Sequence, residues 1–139
     1  MAKVVISSSG FNQFADGSGL DISSPLSKSP TMEISSLTAA STLVNGGLYT
    51  VSGSGALTMV MPLASEVPGA KFIVRNVSAH AHALTGSAET AGTTVFTDGT
   101  SKGSKLALAA AVGNSVTLIS DGKNFCVLGN SGSLTINGT

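Results

Sequence analysis

From Leu43 onward, apolar and polar residues alternate in short runs, and each run is closed by glycine, proline or asparagine. GGLYTVSG (46–53) follows an Asn45-Gly46 turn signal and is rich in β-prone residues. ALTMVMPL places Leu57, Met59 and Met61 on one side and Thr58 and Val60 on the other, until Pro62 stops the run. KFIVRNV (71–77), ALT (83–85), TTVFT (93–97), KLALA (105–109), SVTLIS (115–120), NFCVLG (124–129) and SLTIN (133–137) follow. Their spacing of roughly eight to twelve residues predicts an all-β domain over 43–139, a small antiparallel β-sandwich or barrel. Asp98-Gly99 and Asp121-Gly122 predict tight reversals, since aspartate tolerates and glycine favours positive φ. Helical propensity is confined to SEVPGA, which carries Pro68, and LALAAAVG, which falls in the strand cadence. A short helical turn over 64–66 is the extent of helix expected.

Residues 1–42 follow a different pattern. FNQFADGSGLDISSPLSKSPTMEISSLTAAST is rich in Ser, Gly, Asp and Thr, and its hydrophobics stand singly. Phe11, Phe14, Leu20, Ile22 and Leu26 are spaced as anchors of an extended N-terminal arm that lies along a partner. A disordered linker rarely carries two phenylalanines, so the arm is expected to be ordered by what it touches, the alternative being a strand-and-loop entry into the domain.

Charge sharpens this picture. Seven basic residues balance seven acidic ones, and charged residues make up 10% of the 139, against roughly a quarter in ordinary soluble proteins. The cations are scattered singly, leaving no basic stripe to displace counterions from a phosphate backbone, so no nucleic-acid partner is expected. The mean hydropathy of +0.37 comes largely from Ala and Val among Ser and Thr. Such a weakly polar surface suits contact with protein. The apolar run after MAK is too short for a secretory leader, and no stretch approaches the roughly twenty apolar residues of a membrane span. No membrane partner is expected. Cys126 is the lone cysteine, read as a buried small hydrophobe in a core strand and compatible with a reducing cytoplasm.

Candidate chemistry is thin. On one strand, His80 and His82 in SAHAHALT share a face about 6.5 to 7 Å apart, a spacing that chelates a metal if a third ligand approaches. No third ligand announces itself, so neither a metal nor a cofactor is expected. A Ser/His/Asp triad can be drawn with Asp98 or Asp121, but no G-x-S-x-G elbow supports it. The acidic residues lack the aromatic setting of a glycosidase, and VSGSGAL is followed by no helix-forming run that would make it a phosphate loop. With no tryptophan and only Tyr49 as tyrosine, a sugar-stacking platform is hard to build. No catalytic residue is assigned.

Two segments carry a resemblance. GNSVTLISDGKNFCVLGNSG (113–132) resembles a motif of tailed-bacteriophage structural proteins, in which a strand ends in Ser-Asp-Gly and the next opens with an aromatic, here Phe125 in place of the usual tryptophan. MPLASEVPGAKFIVRNVSA (61–79) resembles that motif's customary partner. The pattern occurs in head decoration proteins, head fibres and tail-fibre modules, and the chain's size is most similar to that of a capsid decoration, or cement, protein. The resemblance implies a non-enzymatic virion protein, made in the host cytoplasm and bound to the outer capsid surface. It also implies a homotrimer whose arms reach neighbouring subunits of the major capsid protein and clamp adjacent capsomers. One rival reading, a receptor-binding fibre or tail module, implies an exposed aromatic or charged specificity patch; a second, a small metal- or ligand-binding β-barrel enzyme, needs the His80/His82 pair to hold metal.

Overall fold

Strand β4 (Gly47–Val51) shows the period-two pattern at work: Gly47, Tyr49 and Val51 are buried, and Leu48 and Thr50 between them are half-buried. A computed structural model of the chain describes residues 6–7, 10–11, 32–87 and 95–138. The chain divides into two compact units, Met1–Thr31 and Met32–Thr139. In the first, β1 (Ile6–Ser7) pairs antiparallel with β2 (Gly10–Phe11). Everything that follows concerns the second.

Its larger sheet contains β3 (Ile34–Leu37), β4, β6 (Lys71–Asn76), β11 (Ser115–Ser120), β12 (Phe125–Ser131), β8 (Phe96–Thr97) and β9 (Lys102–Gly103), in that spatial order. The smaller contains β13 (Leu134–Asn137), β10 (Lys105–Leu108), β7 (His82–Thr85) and β5 (Leu57–Val60). Strands are present in the expected runs among the described residues, that of 93–97 as β8 with 93–94 outside the described residues, and a 3-10 turn at Ala64–Glu66 occupies the place where a helical turn is predicted. The unit is an all-β sandwich. Its core joins Tyr49, Val51, Phe72, Val74, Val116, Leu118, Phe96 and Phe125 of the larger sheet to Met59, Leu84, Leu106 and Leu108 of the smaller. Phe72 is the hinge of the aromatic cluster, stacked on Tyr49 at 6.3 Å and edge-on to Phe125 at 5.6 Å.

The sheets are mixed, where the strand cadence suggested antiparallel pairing throughout. β3 with β4, β4 with β6, β5 with β7 and β8 with β12 run parallel. The reason is that the chain changes sheet at almost every step of its first half: β4 is followed by β5 across the core, then β6 returns beside β4 and β7 beside β5. Alternate strands of such arches point the same way. Alternation within a strand says which side is buried and is silent on which sheet receives it.

The arches also extend upstream of the expected boundary at residue 42. β3 lies within the stretch read as arm, yet it forms an edge of the larger sheet in register with β4. The next turn of chain lines the outer edge of β5, where Leu43 N–H donates to the Val60 carbonyl at 2.8 Å and Val60 N–H to the Ser41 carbonyl at 3.0 Å. At another corner the chain passes from β9 to β10 through Ser104, whose N–H donates to the Gly138 carbonyl at 2.6 Å. Gly103 is required there, because a Cβ at that position would lie 2.6 Å from the Asn137 carbonyl oxygen.

Candidate functional site

The His80/His82 pair does not survive folding as a pair. A bend spans residues 78–80, and strand β7 begins only at His82, so the period-two geometry never includes His80. His80 is exposed, and His82 is 2% exposed. The buried imidazole is fully engaged: Nδ1 accepts the Leu57 N–H at 3.1 Å, and Nε2 lies 2.8 Å from Ser78 Oγ. Among the described residues, no three His, Cys, Asp or Glu side chains gather as metal ligands.

The contact between Ser78 and His82 has the residue types of a nucleophile and its base, and the wrong proton. A base must offer Nε2 as acceptor while Nδ1–H points to an orienting carboxylate. Here a backbone N–H occupies Nδ1, so the ring proton sits on Nε2 and is donated to Ser78 Oγ. Ser78 in turn donates to Asn76 Oδ1 at 3.2 Å. Asn76 is fully buried and donates to the His80 carbonyl at 2.7 Å, so its side chain is occupied with holding the fold together.

Asp98 and Asp121 serve turns. In each four-residue loop the aspartate N–H donates to the carbonyl three residues on, Ser101 or Asn124. The carboxylate accepts two amides, from Thr100 and Ser101 in one loop and from Lys123 and Asn124 in the other. Among the described residues only glycines take positive φ, Gly99 at 92° and Gly122 at 88°. The aspartates therefore act as side-chain caps of the turn, a correction to the expected positive-φ role. Cys126 is half-buried on the outer side of β12, opposite Ile119, and its thiol donates to Asp121 Oδ2 at 3.6 Å. Burial, followed by the Asp121 charge, pushes this thiol up from its ordinary pKa, away from the reactive thiolate.

The two segments 61–79 and 113–132, on which the resemblance rests, meet in the fold. β6 pairs antiparallel with β11, and Gly69 N–H donates to the Ser120 carbonyl while Ser120 N–H donates to the Ala70 carbonyl. Ser120 Oγ, buried, donates to the Ala64 carbonyl at 2.7 Å. The serine of Ser-Asp-Gly thus ties the small-residue loop to the hairpin, and Phe125 carries the motif into the core beside Phe72.

The outer side of the larger sheet bears an apolar row across adjacent strands, formed by Ile34, Leu48 and Ile73 in register, with Thr117 next. Ile34 at its end is 69% exposed. The neighbouring row is polar: Ser36 and Thr50 share a hydrogen bond of 3.0 Å, and Arg75 and Ser115 continue it. A separate exposed apolar residue, Leu128, stands at the irregularity where Thr117 faces Gly129 and Leu118 faces Val127. An open cleft of about 470 Å³ lies between 42–45 and 61–67, with Leu43, Val44, Met61, Leu63 and Val67 in its wall and Glu66 among its lining residues.

Of the arm anchors, Phe11 stands in β2 opposite Ile6. Phe14, Leu20, Ile22 and Leu26 lie outside the described residues. The apolar row on the larger sheet is absent from the sequence expectations because its members come from three strands separated along the chain, β3, β4 and β6, which lie parallel to one another. Outward apolar residues at Leu48 and Ile73 were its available signal.

No helix among the described residues is long and apolar enough to cross a membrane. No protein-family model, curated protein or solved structure matches the chain.

Proposed function

We propose that the protein is a capsid decoration, or cement, protein of a tailed bacteriophage, binding the outer surface of the head and clamping neighbouring capsomers. Its partners are the major capsid protein and two further copies of itself in a homotrimer. The observation that carries this reading is the lock between 61–79 and 113–132, the two segments that resemble the phage structural motif and its companion. They are adjacent strands joined by Ser120, with Asp121 capping the turn.

The physical character of the molecule fits a mechanical role. A sandwich with a buried aromatic cluster supplies a rigid body, and a nearly chargeless surface limits salt-dependent repulsion on a crowded shell. Isolated apolar anchors in the first unit add area at about 25 cal/mol per Å², and three arms in one assembly act together through effective concentration. The His82, Ser78, Ser120, Asp98, Asp121 and Cys126 side chains serve hydrogen bonding within the fold, and the function proposed calls for no catalysis and no cofactor. The apolar row from Ile34 to Ile73 is a second contact area on the same body.

Co-sedimentation tests the proposal. Purified protein is expected to pellet with bare mature shells at saturable stoichiometry and to remain in the supernatant with unassembled major capsid protein. Equal binding to free subunits, or none to shells, would overturn it.

A further inference from the structure

His82 stands where both sheets are tied together at one end of the sandwich. Through Leu57 it holds the start of β5, and through Ser78 it holds the bend that follows β6. The chain of bonds continues from Ser78 to Asn76, and from Asn76 to the carbonyls of His80 at 2.7 Å and Ala109 at 3.4 Å. Asn76 N–H also donates to the Asn114 carbonyl, and Asn114 Nδ2 to Ala109 at 3.0 Å. Five segments of chain from both sheets thus meet on one polar cluster whose only titratable member is an imidazole.

The backbone donor dictates the protonation state. A peptide N–H can only donate, so Nδ1 must carry a lone pair, and the ring is neutral with its proton on Nε2. Adding a proton to Nδ1 would set two N–H groups against each other in a buried site. The Leu57 N–H would then have no acceptor, a costly state away from water.

We propose that His82 is an acid-sensitive latch, closed when neutral, whose protonation releases the start of β5 from the bend at residues 78–80. The charged and titratable groups around it leave the imidazole in control. His80 shares the bend and adds repulsion when both rings are charged. Arg75 of β6 is exposed on the opposite face of its sheet from the buried Asn76, and Lys105 of β10 pairs with Thr85 at the far end of β7. The stretches 52–56 and 109–114 carry no ionisable side chain.

Burial, followed by repulsion from His80, pushes the His82 pKa below the ordinary 6.5. The unfolded chain therefore takes up this proton first as pH falls. The latch contributes its full stability above pH 6.5 and loses it as the pH drops toward the folded-state value.

Amide hydrogen exchange followed by NMR tests the latch on the full chain. Between pH 7.5 and pH 5, after correction for intrinsic rates, opening at the Leu57 and Ser78 amides is expected to rise by about tenfold for each unit of differential proton affinity. Leu118, in the centre of β11, should change much less. His80→Gln should retain the acid response at Leu57, and His82→Gln should abolish it. In the unmodified protein the ring nitrogens read the tautomer directly, with Nδ1 unprotonated at pH 7.5. A protonated Nδ1 at that pH, or an undiminished acid response in His82→Gln, would overturn the proposal. So would a titration of His82 that leaves Leu57 exchange unchanged.

Discussion

Asp98 and Asp121 perform the same task in two loops, each carboxylate accepting a pair of backbone amides that would otherwise point into a reversing chain. Those bonds favour the ionised form: Ser101 and Thr100 hold Asp98 below its ordinary 3.8, and Asn124 and Lys123 do so for Asp121. Their stabilisation is present above that ordinary value and is lost as pH falls through the lower folded-state values. Replacing both by Asn keeps an acceptor and removes the titration. Urea melts of Asp98→Asn/Asp121→Asn are expected to show a flatter dependence on pH below about 4 than the parent protein; an unchanged slope would assign the acid response to other groups. The turns were legible in the sequence because Asp-Gly is a local signal. The division of labour was not, since the dipeptide alone does not say that glycine takes the positive φ while aspartate caps. The two histidines failed for a similar reason. Period two holds only inside a strand, and nothing in SAHAHALT marks the point at which the bend ends and β7 begins.

At the scale of elements, β11 coincides with the run SVTLIS, and β4, β5, β6, β10 and β13 fall within their expected runs. Each has its own alternation and its own terminator, so short-range information suffices. β3 was hidden because Ile34-Ser35-Ser36-Leu37 reads as part of the extended arm; its strand character comes from a parallel neighbour that follows an excursion to the β5 edge. This relocates the cut that separates arm from sandwich. Deleting 1–31 is expected to leave the melting temperature of the sandwich nearly unchanged. Deleting 1–42 removes an edge strand and the Ser41 carbonyl that caps Val60, and is expected to lower it by several degrees, as about 1 to 3 kcal/mol does for a domain of this size. Equal melting temperatures for the two truncations would mean that β3 adds nothing to stability. On shells, loss of residues 1–31 or the substitutions Phe11→Ser with Phe14→Ser should sharply reduce occupancy, since each buried Phe contributes on the order of 2 kcal/mol.

For the whole molecule, fold class could be read from cadence and function could not. An all-β sandwich with a polar cluster wired for structure is compatible with many roles, and capsid decoration is the one proposed here, on the resemblance of 61–79 and 113–132. The two segments are distant in sequence and adjacent in space, so they form one structural unit. The central claim is that this unit sits on the outside of a phage head. Cryo-electron microscopy of mature shells saturated with the purified protein tests it most directly. The account predicts three copies of the sandwich around local symmetry axes on the outer surface, with density from each first unit extending onto a neighbouring capsomer. Bare shells at saturating protein, or density confined to the tail, would contradict it.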